Sequence, residues 1–231
     1  LKTALDPKRT RAVLRDARLM LVFSPELCSG RDPRAVLESV LDFVDVVQVR
    51  PKPPARSSVE SNPSAARPAY EWTAIVLDVV HAKTSCDVVV IVNDRVDVAA
   101  ALRERGCAGV HVGQDDCPVD VARSLLGPDA LIGVSTHDMT QVALAAESSA
   151  DYLGFGPIHS TRTKGYAVGR GAESCWIAST ASPVPVFPIG GIDDTNVAEL
   201  GRIGRAAVGS AILGAADPSH AARELRALLS N

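Results

Sequence analysis

Residues 88–94 read Val-Val-Val-Ile-Val-Asn-Asp: five apolar, mostly β-branched residues ending at two polar ones. A half-buried strand would alternate apolar with polar. An uninterrupted run this short reads as a strand covered on both faces, as in a parallel sheet. Runs of the same kind occur at 19–23, 44–49, 109–112, 131–134, 152–155, 186–189 and 206–208. Their starts lie about 27 residues apart on average, close to the roughly 30 residues of one strand-helix-strand repeat. Helical spacing between them appears at Val98 and Leu102, at Val121 and Leu125, and at Leu225, Leu228 and Leu229.

Eight strand-helix units in 231 residues predict an α/β fold: a single TIM (βα)8 barrel over residues 1–231, with an extra N-terminal helix near 7–18. A doubly wound open sheet would carry a Gly-x-Gly-x-x-Gly turn after its first strand, and Ser24-Pro25-Glu26-Leu27 stands there instead. The stretch 53–68, PPARSSVESNPSAARP, is expected to be a flexible insertion loop at the end of the second strand, since it has almost nothing apolar to bury.

The chain has 24 basic and 27 acidic residues, and no basic stripe interleaved with aromatics. Nucleic acid is therefore not an expected partner. No apolar run approaches the roughly 20 residues of a membrane span, and residues 1–18 are charged throughout. A cytoplasmic protein is expected, without membrane partners and with a homo-oligomer left open. Five scattered cysteines without a Cys-x-x-Cys pair read as reduced thiols.

Polar residues follow nearly every apolar run. Gln48, Arg50 and Lys52 alternate after the second and share one side if the chain stays extended; two cations there suit a phosphate. Asn93 and Asp94 end the third run, and Asp115 and Asp116 follow the fourth. Carboxylates on adjacent strand ends can share Mg²⁺ together with phosphate oxygens; equally, Asp94 and Asp116 could cap the helices after them. Ser135 and His137 follow the fifth run, and Thr161, Thr163 and Lys164 the sixth. Gly190 and Gly191, then Gly209 and Ser210, follow the last two, where barrel phosphate sites form. His111 lies inside a strand and reads as a hydrogen-bonded core histidine; His137 reads as a base or as packing.

In this order, Gln48-x-Arg50-x-Lys52, Asn93-Asp94-Arg95, Gly109-Val-His-Val-Gly-Gln-x-Asp116, Gly133-x-Ser135, Gly156-Pro157 with Thr163-Lys164, and Ile189-Gly-Gly-Ile192 resemble the thiamine phosphate synthase family. The resemblance implies a TIM-barrel transferase with two phosphorylated small-molecule substrates and Mg²⁺. It joins 4-amino-2-methyl-5-(diphosphooxymethyl)pyrimidine to 4-methyl-5-(2-phosphooxyethyl)thiazole and releases diphosphate by a dissociative path. It further implies that Gln48 and Ser135 meet the pyrimidine and that Arg50, Lys52, Asn93 and Lys164 hold its diphosphate. Asp94 and Asp116 would bind Mg²⁺, and Thr161, Thr163, Gly191, Gly209 and Ser210 the thiazole phosphate. Arg50, Ser135 and Lys164 are the catalytic candidates. Pro51 and the Phe23-Ser24-Pro25 corner depart from the family pattern. A thiazole tautomerase relative and a non-catalytic phosphometabolite-binding barrel are the alternatives.

Overall fold

The computed structural model describes residues 6–51, 66–83, 87–160 and 169–229. Its eight strands are β1 (Leu19–Phe23), β2 (Val46–Val49), β3 (Val89–Asn93), β4 (Cys107–Val112), β5 (Leu131–Thr136), β6 (Tyr152–Phe155), β7 (Val186–Pro188) and β8 (Ala206–Val208). All neighbouring pairs are parallel, β1 pairs with both β2 and β8, and a single bridge from Ile189 to Ala207 closes the ring. The eight-stranded barrel expected from the apolar runs is the fold. The second strand begins at Val46 rather than Val44, because residues 41–43 form a 3-10 turn.

The helices are α1 (Pro7–Asp16), α2 (Pro33–Val40), α3 (Ala66–Ala82), α4 (Val96–Ala101), α5 (Val119–Leu126), α6 (Met139–Ala146), α7 (Ala172–Ala181), α8 (Ser210–Leu213) and α9 (Pro218–Leu228). Asp6, Asp32, Asp138 and Asp217 cap α1, α2, α6 and α9 by accepting backbone N–H groups of the first turn. The insertion loop expected over 53–68 is corrected at its end. Residues 66–68 are the first turn of α3, where Pro68 costs no helical hydrogen bond and Arg67 pairs with Glu71 one turn on. Residues 53–65 lie outside the described residues. In α5 the helix is as expected but its buried face is one residue on: Ala122 and Leu126 are inside, while Val121 and Leu125 are exposed. No helix among the described residues is long and apolar enough to cross a membrane.

Each strand divides its side chains between two cores. Leu19, Leu21, Val47, Val49, Val90, Val92, Ile132 and Val134 face the helices. Met20, Val22, Val46, Val89, Ile91, Leu131, Tyr152, Phe187 and Ala207 fill the barrel interior, with Leu14 of α1 packed among them. That contact makes α1 the plug under the barrel. At the same end the Asp45 carboxylate accepts from the backbone N–H of Arg18 (2.8 Å) and Leu19 (3.1 Å), and from both terminal nitrogens of Arg226 (2.8 and 2.9 Å). It thus ties β1, β2 and α9 together. Asp45→Ala should lower stability by about 2–3 kcal/mol, the scale of lost charge-assisted bonds, with turnover unchanged; urea unfolding beside a turnover assay checks both.

Cys28, Cys107, Cys117 and Cys175 are free thiols, as expected; Cys86 lies outside the described residues. Burial pushes the Cys107 thiol up to about 11 and the Cys175 thiol up to about 12. The thiolate is the reactive form, so at pH 8 both should resist iodoacetamide in the native protein and react once it is unfolded. Among the described cysteines Cys117, half-buried on the opposite rim, should react first, as peptide mass mapping would register.

Candidate active site

The C-terminal strand ends surround one cavity of about 500 Å³, within the range of small-molecule sites. Gln48 and Arg50 from β2, Asn93 and Asp94 from β3, Asp116 after β4, Ser135 and His137 from β5, Gly191 after β7, and Gly209 with Ser210 after β8 all line it. Of the residues singled out in the sequence, these ten converge, together with His111 and Gly190. Lys52, Thr161, Thr163 and Lys164 lie outside the described residues.

Period two explains the convergence. Arg50 follows Gln48 on the inward side of β2, and Asn93 follows Ile91 on that of β3, so the residues that extend the interior core become the cavity wall. Arg50 is held by its backbone: its N–H donates to Phe23 O (2.8 Å), and Ser24 Oγ donates to Arg50 O (2.7 Å). Ser24 is buried and lines the cavity. The Phe-Ser-Pro corner noted as a departure is therefore a clamp on the arginine strand end.

Neither carboxylate occupies the N-cap position of the helix that follows it. The residue before α4 is Arg95, and the one before α5 is Pro118, without a side-chain cap. Asp94 has a φ of +61°, a left-handed backbone that a non-glycine residue adopts at a cost of about 1–3 kcal/mol. Its N–H is fixed on His111 O at 2.7 Å. Asp116 Oδ2 accepts from Gly113 N–H at 2.8 Å, which orients the carboxylate within the turn after β4. Two preset hard-oxygen donors beside an arginine, facing a cavity with room for phosphate oxygens, fit the chemistry of Mg²⁺. Among the described residues no cluster of three or more His, Cys, Asp or Glu could form a full protein cage.

The opposite wall is backbone. Ile158 N–H donates to Ile189 O (2.9 Å) and His159 N–H to Gly190 O (3.0 Å), which continues the β6–β7 pairing into the rim. Gly191 has a φ of +67°, and a Cβ there would stand 2.8 Å from His159 Cβ. Only glycine keeps this backbone against the cavity. His137 Nδ1 donates to Gly156 O (2.6 Å), and its backbone N–H donates to Gln141 Oε1 (2.7 Å). His137 is thus held by its surroundings while lining the cavity.

His111 points into the barrel, as a core histidine with satisfied hydrogen bonds: Nδ1 lies 2.9 Å from Tyr152 Oη and Nε2 2.9 Å from Ser135 Oγ. Tyr152 went unnoticed in the sequence, where it is one aromatic at the head of an apolar strand. Its only legible signal is Gly133, its register partner on β5: a Cβ there would lie 2.0 Å from the phenol ring.

A closed parallel barrel with an arginine, two carboxylates and glycine-rich turns gathered at its C-terminal rim belongs to the class of βα-barrel protein whose functional site lies at that rim. Residues 19–212 match the family model for thiamine monophosphate synthase. The chain belongs to that family. It is 39% identical over 219 residues to thiamine-phosphate synthase of Chloroflexus aurantiacus, covering 93% of this chain and 94% of that one. A Synechocystis thiamine-phosphate synthase is 44% identical over 142 residues, 61% of this chain but 40% of the relative. Among solved structures, thiamine phosphate pyrophosphorylase from Pyrococcus furiosus superposes with a TM-score of 0.74 at 27% identity, over 95% of this chain and 96% of that one.

Proposed function

We propose that this protein is a thiamine phosphate synthase, transferring the pyrimidinylmethyl group of 4-amino-2-methyl-5-(diphosphooxymethyl)pyrimidine to the nitrogen of 4-methyl-5-(2-phosphooxyethyl)thiazole. One observation carries the reading beyond family membership: a cation, two preset carboxylates and a glycine-built wall face a single cavity. That arrangement accommodates two anionic groups and a divalent ion at once.

In this reading Gln48 and Ser135 orient the pyrimidine, and Arg50 and Asn93 bind its diphosphate, together with Lys52 and Lys164. Asp94 and Asp116 hold Mg²⁺, which when bound neutralises diphosphate charge. The backbone at Gly191 and Gly209, Ser210, and the hydroxyls of Thr161 and Thr163 take the thiazole phosphate. The bond from the methylene carbon to the diphosphate oxygen breaks, and both electrons leave with diphosphate. The thiazole nitrogen then supplies the pair for the new C–N bond. Arg50 and Lys164 stabilise charge that grows on the leaving group, the kind of contact that lowers a barrier rather than merely binding substrate. In this reading no side chain needs to form a covalent bond.

Incubation with both substrates and Mg²⁺ should release diphosphate and form thiamine phosphate in equal amounts. Binding of both substrates without either product would overturn the assignment.

A further inference from the structure

Arg31 is not among the described residues that line the cavity, and the proposed chemistry leaves it unused. Its guanidinium nevertheless gathers four main-chain carbonyls. Nη2 donates to Leu213 O (2.7 Å), Nη1 to Ala215 O (2.7 Å) and Ala216 O (3.3 Å), and Nε to Cys28 O (3.0 Å). The first three belong to the C-terminal end of α8 and the turn after it, while the opposite end carries Gly209 and Ser210 into the cavity. The fourth belongs to the loop after β1.

α8 has only four residues. A single helical turn fixes many dihedral angles for few hydrogen bonds and does not hold by itself, and the carbonyls at its end have no partners within it. Buried Ile212 and Leu213 pin one side of the turn; Arg31 supplies the directional contacts. The arginine is itself preset. Ser29 (φ +55°) and Gly30 (φ +77°) are consecutive left-handed residues that reverse the chain. Arg31 N–H then donates to Cys28 O (3.1 Å), and Asp32 follows at once as the N-cap of α2. A non-glycine residue held left-handed, as Ser29 is, persists only where its surroundings impose it. The same loop carries Leu27 into the cavity wall, and a Cβ on Gly214 would stand 3.8 Å from Leu27 O, so loop and turn lie against each other.

We infer that Arg31 is a positioning residue: it braces the turn that presents Gly209 and Ser210, and through that turn sets the affinity for the phosphate of the second substrate without touching it. The inference rests on the proposed function in taking the thiazole phosphate to lie on that turn. What Arg31 supplies is geometry rather than charge alone. A planar guanidinium reaches several carbonyls at once, whereas a lysine ammonium is a compact point charge on a flexible stem. Arg31→Lys therefore keeps the charge and loses the brace. The diphosphate half of the cavity, built on the ends of β2 to β4, has no contact with it.

Amide hydrogen exchange of the full chain without ligand reads the turn. The N–H groups of Leu213, Gly214 and Ala215 donate to Gly209 O, Ser210 O and Ile212 O. They should exchange at least about tenfold faster in Arg31→Lys, over and above any change in the strand amides of β3 and β4. Calorimetry with Mg²⁺ reads the ligands. Affinity for the thiazole phosphate should fall at least about tenfold in Arg31→Lys, while affinity for the pyrimidine diphosphate and for the unphosphorylated thiazole alcohol should not change. Guanidinium ion should restore the binding in Arg31→Ala, and ammonium should not. Wild-type affinity for the thiazole phosphate in Arg31→Lys, equal losses for all three ligands, or unchanged exchange at 213–215 overturns the inference. Where the variants do not fold, the Arg31 side-chain N–H signals of the wild type decide: resolved if the guanidinium is fixed on its carbonyls, averaged if it is not. A wild type that loses thiazole-phosphate binding with Arg31→Lys yet releases no diphosphate would uphold the inference and overturn the proposed function. Full wild-type turnover with unchanged binding in the variant would do the reverse.

Discussion

Asp116→Ala is expected to reduce Mg²⁺-dependent turnover by at least about 10²–10³-fold, the scale of losing one charge-stabilising contact in a transition state. The carboxylate is one of two that face the cavity, and its orientation is set by the 2.8 Å bond from Gly113 N–H to Oδ2. In the proposed reaction it helps hold the ion that balances the departing diphosphate. Asp116→Asn separates charge from geometry, because the amide oxygen can still accept from Gly113 N–H. If the charge matters, Asn should be nearly as slow as Ala while unfolding at the wild-type denaturant midpoint. Ala alone should also lose about 1 kcal/mol of stability with the turn bond. Turnover near the wild-type rate in either variant would remove Asp116 from the metal assignment.

Gly109→Ala should be the most damaging single substitution to the fold. On β4 this residue stands opposite Leu131 of β5, and an added Cβ would lie 1.8 Å from Leu131 O and 2.6 Å from Leu131 C. Those are backbone atoms, so no rotamer change relieves the overlap, and the two strands would have to part. Overpacking a core commonly costs about 1–3 kcal/mol; a backbone collision inside a closed barrel should exceed that range. Denaturant unfolding and the soluble yield would register it. Gly154 makes the useful contrast. There the added methyl would meet His111 Cε1 at 3.2 Å, a distance a small ring shift can restore, so Gly154→Ala should cost less than Gly109→Ala. Equal stability of the Gly109 variant and the wild type would show that the β4–β5 spacing is looser than the structure has it.

Much of this was legible in the chain. Continuous apolar runs betray strands buried on both faces, and polar residues just beyond a run mark the end of a strand whether or not a fold is known. The barrel, its N-terminal helix and the rim location of Arg50, Asn93, Asp94 and Asp116 follow from those two signals. Where the reading slipped, the cause is local. In α5 both 121/125 and 122/126 satisfy a four-residue spacing, and only packing against the barrel selects Ala122 and Leu126. Residues 66–68 carry the same Ala, Arg and Pro as a loop would, yet proline is also at home in a helix's first turn.

What the sequence determines by itself is periodic: how many strands, where each ends, and which residues alternate into the rim. Contacts between residues far apart in the chain have no such period, and the tertiary structure alone decides them. Asp45 reaching Arg226, Ser24 clamping Arg50, and Tyr152 meeting His111 above Gly133 depend on which strands become neighbours when the barrel closes.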